Sequence, residues 1–185
     1  SVGPKAAGVA TLLRLYFEVF ADKVGNLTVW VGVRAALTMI AGNLLALPQK
    51  NIKRLLAYSS VAHAGYAMIG LVALSTFGAA STVFYLAAYV VTNLAAFAVV
   101  ILFARTAGSE EIEDYAGLSR RSPGLGLALM VALLSLGGMP PLAGFVAKVY
   151  VFAAAVESGW VWLAFVGVLN AIVGLYYYLT ILKVV

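Results

Sequence analysis

The sequence predicts an all-α polytopic transmembrane helical bundle of six spans, one of them a broken helix. The composition is 64% hydrophobic and only 10% charged over 185 residues, whereas soluble domains carry about 25% charged residues. Six apolar segments, roughly 3–21, 27–48, 53–75, 80–104, 123–157 and 159–183, are each long enough to cross a hydrocarbon core of about 30 Å. Strand-like alternation is absent and the connections are short, so the backbone must satisfy its polar groups within helices.

The segment 123–157 is the informative one. As a single helix it would reach about 52 Å at 1.5 Å per residue, far more than a bilayer core needs. Its middle carries Gly137, Gly138, Met139, Pro140 and Pro141, and the prolines remove backbone donors there. The spacing predicts two helical pieces joined by an irregular loop at membrane depth. Such a loop survives only where it is buried in protein or lines a wet cavity. Lys148 follows seven residues after this break, and a charge beside a broken helix points to an ion path.

Basic residues predict the orientation. Lys50, Lys53, Arg54, Arg105, Arg120, Arg121 and Lys183 fall in alternate connections, and the other set holds only Lys23. The excess places the first set, and the N-terminus with it, on the cytoplasmic side. The longest connection, 106–122, carries Glu110, Glu111, Glu113 and Asp114 and reads as an amphipathic segment or a solvated loop. The net charge of +5 forms no basic stripe, which argues against nucleic acid as a partner. With no cysteine and one histidine, thiolate metal sites, iron–sulfur ligation, disulfides and a His-rich metal or haem site are excluded. The chain starts without Met and ends abruptly, as expected of a piece of a longer chain or its ordered part.

Four basic residues, Lys5, Arg14, Arg34 and Lys148, lie within or at the start of apolar segments, where each costs roughly 2.5–3.5 kcal/mol on insertion scales. Glu18 stands four residues after Arg14, the spacing of a neutralising pair on one helix face. Arg34 reads as snorkelling or bonded to a carbonyl. Lys5 and Lys148 have no acid at that spacing. Lys5 is open to two readings, a helix-start residue at the interface or a proton-carrying group. Lys148 is too deep for easy snorkelling, and an unpaired buried amine suits proton loading and release. His63 falls near the midplane of its span, as a proton relay or an interhelical hydrogen bond. Thr92, Asn93 and Asn170 are predicted to bond between helices. Tyr176, Tyr177 and Tyr178 fit an aromatic belt at the membrane interface.

Three stretches carry a family likeness: Asn51 to Tyr66 (NIKRLLAYSSVAHAGY), Ser135 to Tyr150 (SLGGMPPLAGFVAKVY) and Gly174 to Leu179 (GLYYYL). Together they resemble the antiporter-like membrane subunits of respiratory complex I, the proton-pumping NADH–quinone oxidoreductase. The resemblance covers the whole chain. It implies two inverted five-helix repeats, with residues 1–24 as the last helix of the first and residues 25–185, including the broken helix 123–157, as the second. Lys148 matches the family's buried lysine beside the break. Lys5 matches a lysine joining two half-channels, His63 a relay histidine, and Tyr177 a supporting tyrosine. A glutamate and a lysine of the first half-channel have no counterpart here. The resemblance implies a proton-translocating subunit of an inner or thylakoid membrane with no cofactor of its own. NADH, FMN, iron–sulfur clusters and quinone would belong to partner subunits, and neighbouring antiporter-like subunits and lipid would surround it. A multisubunit Na⁺/H⁺ antiporter, a membrane-bound hydrogenase or NDH-type complex shares these motifs, and a non-transporting membrane scaffold is the remaining alternative.

Overall fold

The computed structural model describes residues 24–185 together with Ala7, Gly8 and Thr11. Lys5, Arg14, Glu18 and Lys23, with all of the segment 3–21 but Ala7, Gly8 and Thr11, lie outside the described residues. Six principal helices follow: α1 (Val24–Ala46), α2 (Ile52–Val72), α3 (Thr76–Ala107), α4 (Pro123–Gly137), α5 (Ala143–Glu157) and α6 (Val161–Val184). Four of them are long and apolar enough to cross a membrane. The remaining pair, α4 and α5, are half-length pieces that together make one crossing, so the expected interruption is present. The loop between them runs from Gly138 to Leu142.

Local chemistry sets the helix ends. The Asn51 side chain accepts from Arg54 N at the start of α2. Ser75 does the same for Gly78 N at the start of α3. These side-chain oxygens satisfy backbone donors that the first turn leaves unpaired. Gly108 ends α3 in the left-handed conformation at φ 71°, where a Cβ would be strained. The caps extend α3 beyond the predicted 80–104 at both ends. Pro123 opens α4, where its missing N–H costs nothing.

α2 lies at the centre, packed against α1, α3 and α5, with α4 and α6 closing the far side. Its contact with α1 is the tightest. A Cβ on Gly65 would fall 2.6 Å from Met39 Cγ, the close approach that small residues permit between membrane helices. The lipid-type surface is carried by residues such as Trp30, Val91, Phe165 and Ile172. Arg34 is exposed on α1.

The connection 106–122 is a largely exposed loop, as one of the two sequence readings had it, with only Tyr115 and Leu118 buried, but it is anchored. Its backbone clamps two helix ends. Ile52 N donates to Glu110 O at 3.0 Å and Ile112 N to Lys50 O at 2.9 Å. Ser119 N donates to Val185 O at 3.1 Å. Tyr115 is fully buried, with its ring 3.9 Å from that of Phe103. Glu110 pairs with Lys53 and accepts from Asn51 Nδ2 at 3.2 Å. Only exposed acids between apolar anchors made the stretch look loose in the sequence.

Those two partners, Lys53 first and Asn51 second, hold the Glu110 carboxyl below its ordinary value of 4.5. A carboxyl lowered on folding contributes above the ordinary range and stops contributing as pH falls through its lowered value. Protection of the Ile52 and Ile112 amides from hydrogen exchange, taken relative to the intrinsic exchange rate at each pH, should therefore hold at neutral pH and fall as acid protonates Glu110. Glu110→Ala should speed the same two amides at neutral pH and leave the core of α2 protected.

Candidate functional site

The break places Lys148 against the open end of a helix. α4 stops at Gly137, leaving carbonyls with no helical partner at its C-terminal turn. The Lys148 Nζ donates to Leu136 O and to Gly137 O, both at 2.9 Å. It also lies 5.1 Å from the centre of the Tyr66 ring, within cation–π range. Lys148 is 5% exposed, so it does not snorkel. The sequence reading of an unpaired amine is corrected on one point. The partners are not acids but backbone carbonyls at the open C-terminal end of a half-helix.

Two glycines make this approach possible. Gly138 takes φ 85°, and a Cβ there would fall 3.2 Å from Lys148 Nζ. A Cβ on Gly144 would fall 1.8 Å from Ser135 O, so the first turn of α5 rests directly on the last turns of α4. Ser135 Oγ strengthens the junction by accepting from Gly144 N at 3.2 Å and lying 3.3 Å from Thr92 Oγ on α3.

His63 sits beside this junction, 5% exposed. Its Nδ1 is 2.6 Å from Tyr85 Oη and its Nε2 is 3.3 Å from Tyr178 Oη. Tyr178 Oη in turn contacts Ser59 Oγ. Each ring nitrogen thus faces a hydroxyl that both donates and accepts, which lets the imidazole take a proton on one side and release it on the other. The ring stacks on Tyr89 at 4.8 Å and meets Tyr66 edge-on at 5.7 Å. A cavity of about 10 Å³, lined among others by His63, Tyr85, Tyr89, Ser135 and Lys148, joins the two candidate groups. That is about the space one water needs, and its walls offer the polar partners a water requires. A second groove of about 240 Å³ is lined by Lys148, Gly137, Gly138, Phe145, Ile172 and Leu175 among others.

Tyr177 belongs to a neighbouring network. Its hydroxyl donates to Asn43 Oδ1 at 3.1 Å, and Asn43 Nδ2 donates to Asn170 Oδ1 at 2.9 Å and Asn170 O at 3.0 Å. Tyr177 adjoins the His63 chain at Tyr178, with the two rings 4.6 Å apart. Of the three tyrosines read as interfacial, Tyr176 is 66% exposed, whereas Tyr177 and Tyr178 are buried among the helices and form no part of an aromatic belt. Asn170 makes the expected interhelical bond. Asn93 does not: its Nδ2 is buried with no hydrogen-bond partner among the described residues. Asn43, Ser135, Tyr85 and Tyr89 were missed. Their one sequence signal is a polar atom within an apolar run, which Tyr disguises as an aromatic.

Residues 1–174 match the model of the family described as "NADH:quinone oxidoreductase/Mrp antiporter, TM". Among curated relatives, NADH-quinone oxidoreductase subunit N of Heliobacterium modesticaldum is 50% identical over 179 residues, 96% of this chain and 38% of the relative. The chain thus spans well under half the length of the curated relatives it matches. Among solved structures, a chain of respiratory complex I from Thermus thermophilus with bound NADH superposes with a TM-score of 0.88 at 28% identity. That match covers 95% of this chain and 38% of the other. A chain of the Mrp complex from Dietzia sp. gives 0.89 at 28% identity, covering 97% and 34%.

The junction of α4 and α5 has no slack. Gly144→Ala should lower stability by about 1–3 kcal/mol, the usual cost of forcing atoms into a packed interior, read as a reduced thermal midpoint in detergent. An alanine on exposed Gly124, where a Cβ would meet nothing, should leave the midpoint unchanged.

Proposed function

The chain belongs to the membrane family of NADH:quinone oxidoreductase and Mrp antiporter subunits, and from that premise we propose that it moves protons through Lys148 and His63 as part of a proton-pumping NADH–quinone oxidoreductase. The observation that carries this reading is the number of hydrogen bonds at Lys148. An ammonium has three donors, and two are used on Leu136 O and Gly137 O. A neutral amine keeps two N–H groups. Loss of one proton therefore breaks neither bond, and the third proton is the one free to leave toward the cavity shared with His63. A group that changes charge without changing its contacts is suited to repeated loading and release.

His63 would pass the proton along the Tyr85–His63–Tyr178–Ser59 chain. Movement of a nearby charge would drive the cycle, since like charges disfavour each other's protonated forms. Lys5 is proposed as the group linking this half-channel to the first one, with Tyr177 supporting the α1–α6 contact through Asn43. Residues 25–185 would form the second inverted repeat, and residues 1–24 the last helix of the first. Electron transfer from NADH to quinone, with its flavin and iron–sulfur clusters, is assigned to partner subunits. Neighbouring antiporter-like subunits would flank this chain.

A multisubunit Na⁺/H⁺ antiporter is the second reading, favoured by TM-scores that do not separate the two assemblies. The 50% identity to subunit N places the first reading ahead.

Two substitutions at Lys148 separate fold from transport. Lys148→Ala strips Leu136 O and Gly137 O of their donor, at about 1–3 kcal/mol for a buried unsatisfied group. Lys148→Arg keeps donors but does not release its proton at accessible pH. In the assembled complex reconstituted in vesicles, Lys148→Arg should retain assembly and lose proton pumping and coupled quinone reduction. Pumping at the wild-type rate in an assembled Lys148→Arg complex would refute the assignment.

A further inference from the structure

Lys148 has two kinds of partner, and only one of them depends on its charge. The bonds to Leu136 O and Gly137 O need two N–H donors, which an ammonium and a neutral amine both have. The other partner is the Tyr66 ring, whose centre lies 5.1 Å from Nζ. An aromatic face carries negative potential and attracts a cation, whereas it holds a neutral amine only weakly. No carboxylate among the described residues shares the task. Their acids are Glu110, Glu111, Glu113 and Asp114 in the loop at the basic end, and Glu157. Glu157 follows Lys148 by nine residues, about 13 Å along α5.

Tyr66 is built into its place. It is 2% exposed and follows His63 by three residues, which puts both on one side of α2. The imidazole meets the ring at 5.7 Å and Phe152 of α5 meets it at 6.2 Å, both T-shaped, and the Tyr85 ring lies 6.3 Å away. The Tyr66 hydroxyl lies against the side chain of Asn43 on α1. The neighbouring Gly65 packs so closely on α1 that a Cβ there would meet Ala35 O at 2.9 Å, so the backbone that carries Tyr66 has no room to shift. One ring therefore touches both proposed proton-carrying groups, the amine and the imidazole.

We propose that Tyr66 is a positioning residue for proton transfer: its electron-rich face holds the loaded Lys148 beside His63 and relaxes its hold when the proton leaves. The proposal rests on the proton-transfer reading of Lys148 and adds the group that responds to each change of charge. The carbonyl bonds fix where the amine sits in both states. The ring acts in one state alone, so its electron density matters and its hydroxyl is secondary.

The test replaces Tyr66, in the assembled complex reconstituted in vesicles, by phenylalanine and by phenylalanines carrying one, two and three ring fluorines. Fluorine draws electron density off the ring face and changes its size little. Proton uptake is read by a pH-sensitive dye, and the ¹⁵N-lysine ammonium band, assigned through Lys148→Arg, is read by infrared spectroscopy. Tyr66→Phe should keep most of the pumping rate. The rate should then fall with each added fluorine, by about tenfold or more over the series, and the band should move in the same order. Tyr66→Leu should be as slow as the most fluorinated ring. A rate that ignores fluorination would show that the ring only fills space, and would overturn the proposal. A Tyr66→Phe variant as slow as Tyr66→Leu would overturn it too, by placing the effect in the hydroxyl. In either case a silent Lys148→Arg complex leaves the Lys148 reading standing, whereas wild-type pumping by Lys148→Arg overturns both. Should Tyr66→Phe or Tyr66→Leu fail to assemble, ring-fluorinated tyrosines, which keep the hydroxyl, decide by the same trend.

Discussion

The bonding of Lys148 to the open end of α4 is the constraint on which the rest of the structure depends. A helix that stops at mid-membrane leaves carbonyls in a medium with no water to satisfy them. A buried amine leaves donors in the same difficulty. Joining the two solves both problems with 2.9 Å bonds to Leu136 and Gly137. Each satisfies polar groups of the other that the core of a bilayer would leave unpaired.

The surrounding helices follow from that junction. Gly144 lets α5 rest on Ser135, and Gly138 lets the chain turn beneath the amine. Tyr66 from α2 supplies an aromatic face to the same charge. α3 brings Thr92 to Ser135 and Tyr85 to His63, so α2, α3 and the broken pair meet at one level. The loop at the basic end fixes the ends of α2 and α6 relative to each other, and with them Ser59, His63 and Tyr178. The Lys53–Glu110 pair is surface-exposed, and such pairs contribute little alone. Its backbone hydrogen bonds and buried Tyr115 anchor the loop more firmly.

The break at Gly137–Pro141 and the depth of Lys148 were legible in the sequence because glycine, proline and charge are conspicuous in apolar segments. His63 was legible for the same reason. The inward-facing tyrosines were not. When nearly every residue of a helix is apolar, no face stands out by periodicity, and only the packing of α3 against α2 shows that Tyr85 and Tyr89 face inward while Phe84 and Val91 do not. Asn43 was hidden by distance: its partner Asn170 lies 127 residues away. The loop at 106–122 is solvated as one sequence reading had it, but its anchoring was hidden, because backbone hydrogen bonds and one tyrosine hold it in place. The deep amine looked unpaired because the sequence displays acids, not free carbonyls.

The account stands on an amine that changes charge while keeping its two carbonyl contacts. Isotope-edited infrared difference spectroscopy on the complex during turnover, with ¹⁵N in lysine and ¹³C at the glycine carbonyls, addresses that directly, and Lys148→Arg identifies the lysine bands. The account predicts an ammonium-to-amine change that disappears in that variant, with the Gly137 carbonyl hydrogen-bonded throughout. A lysine signal that stays cationic through the cycle, or a Gly137 carbonyl that loses its bond when the proton leaves, would contradict it.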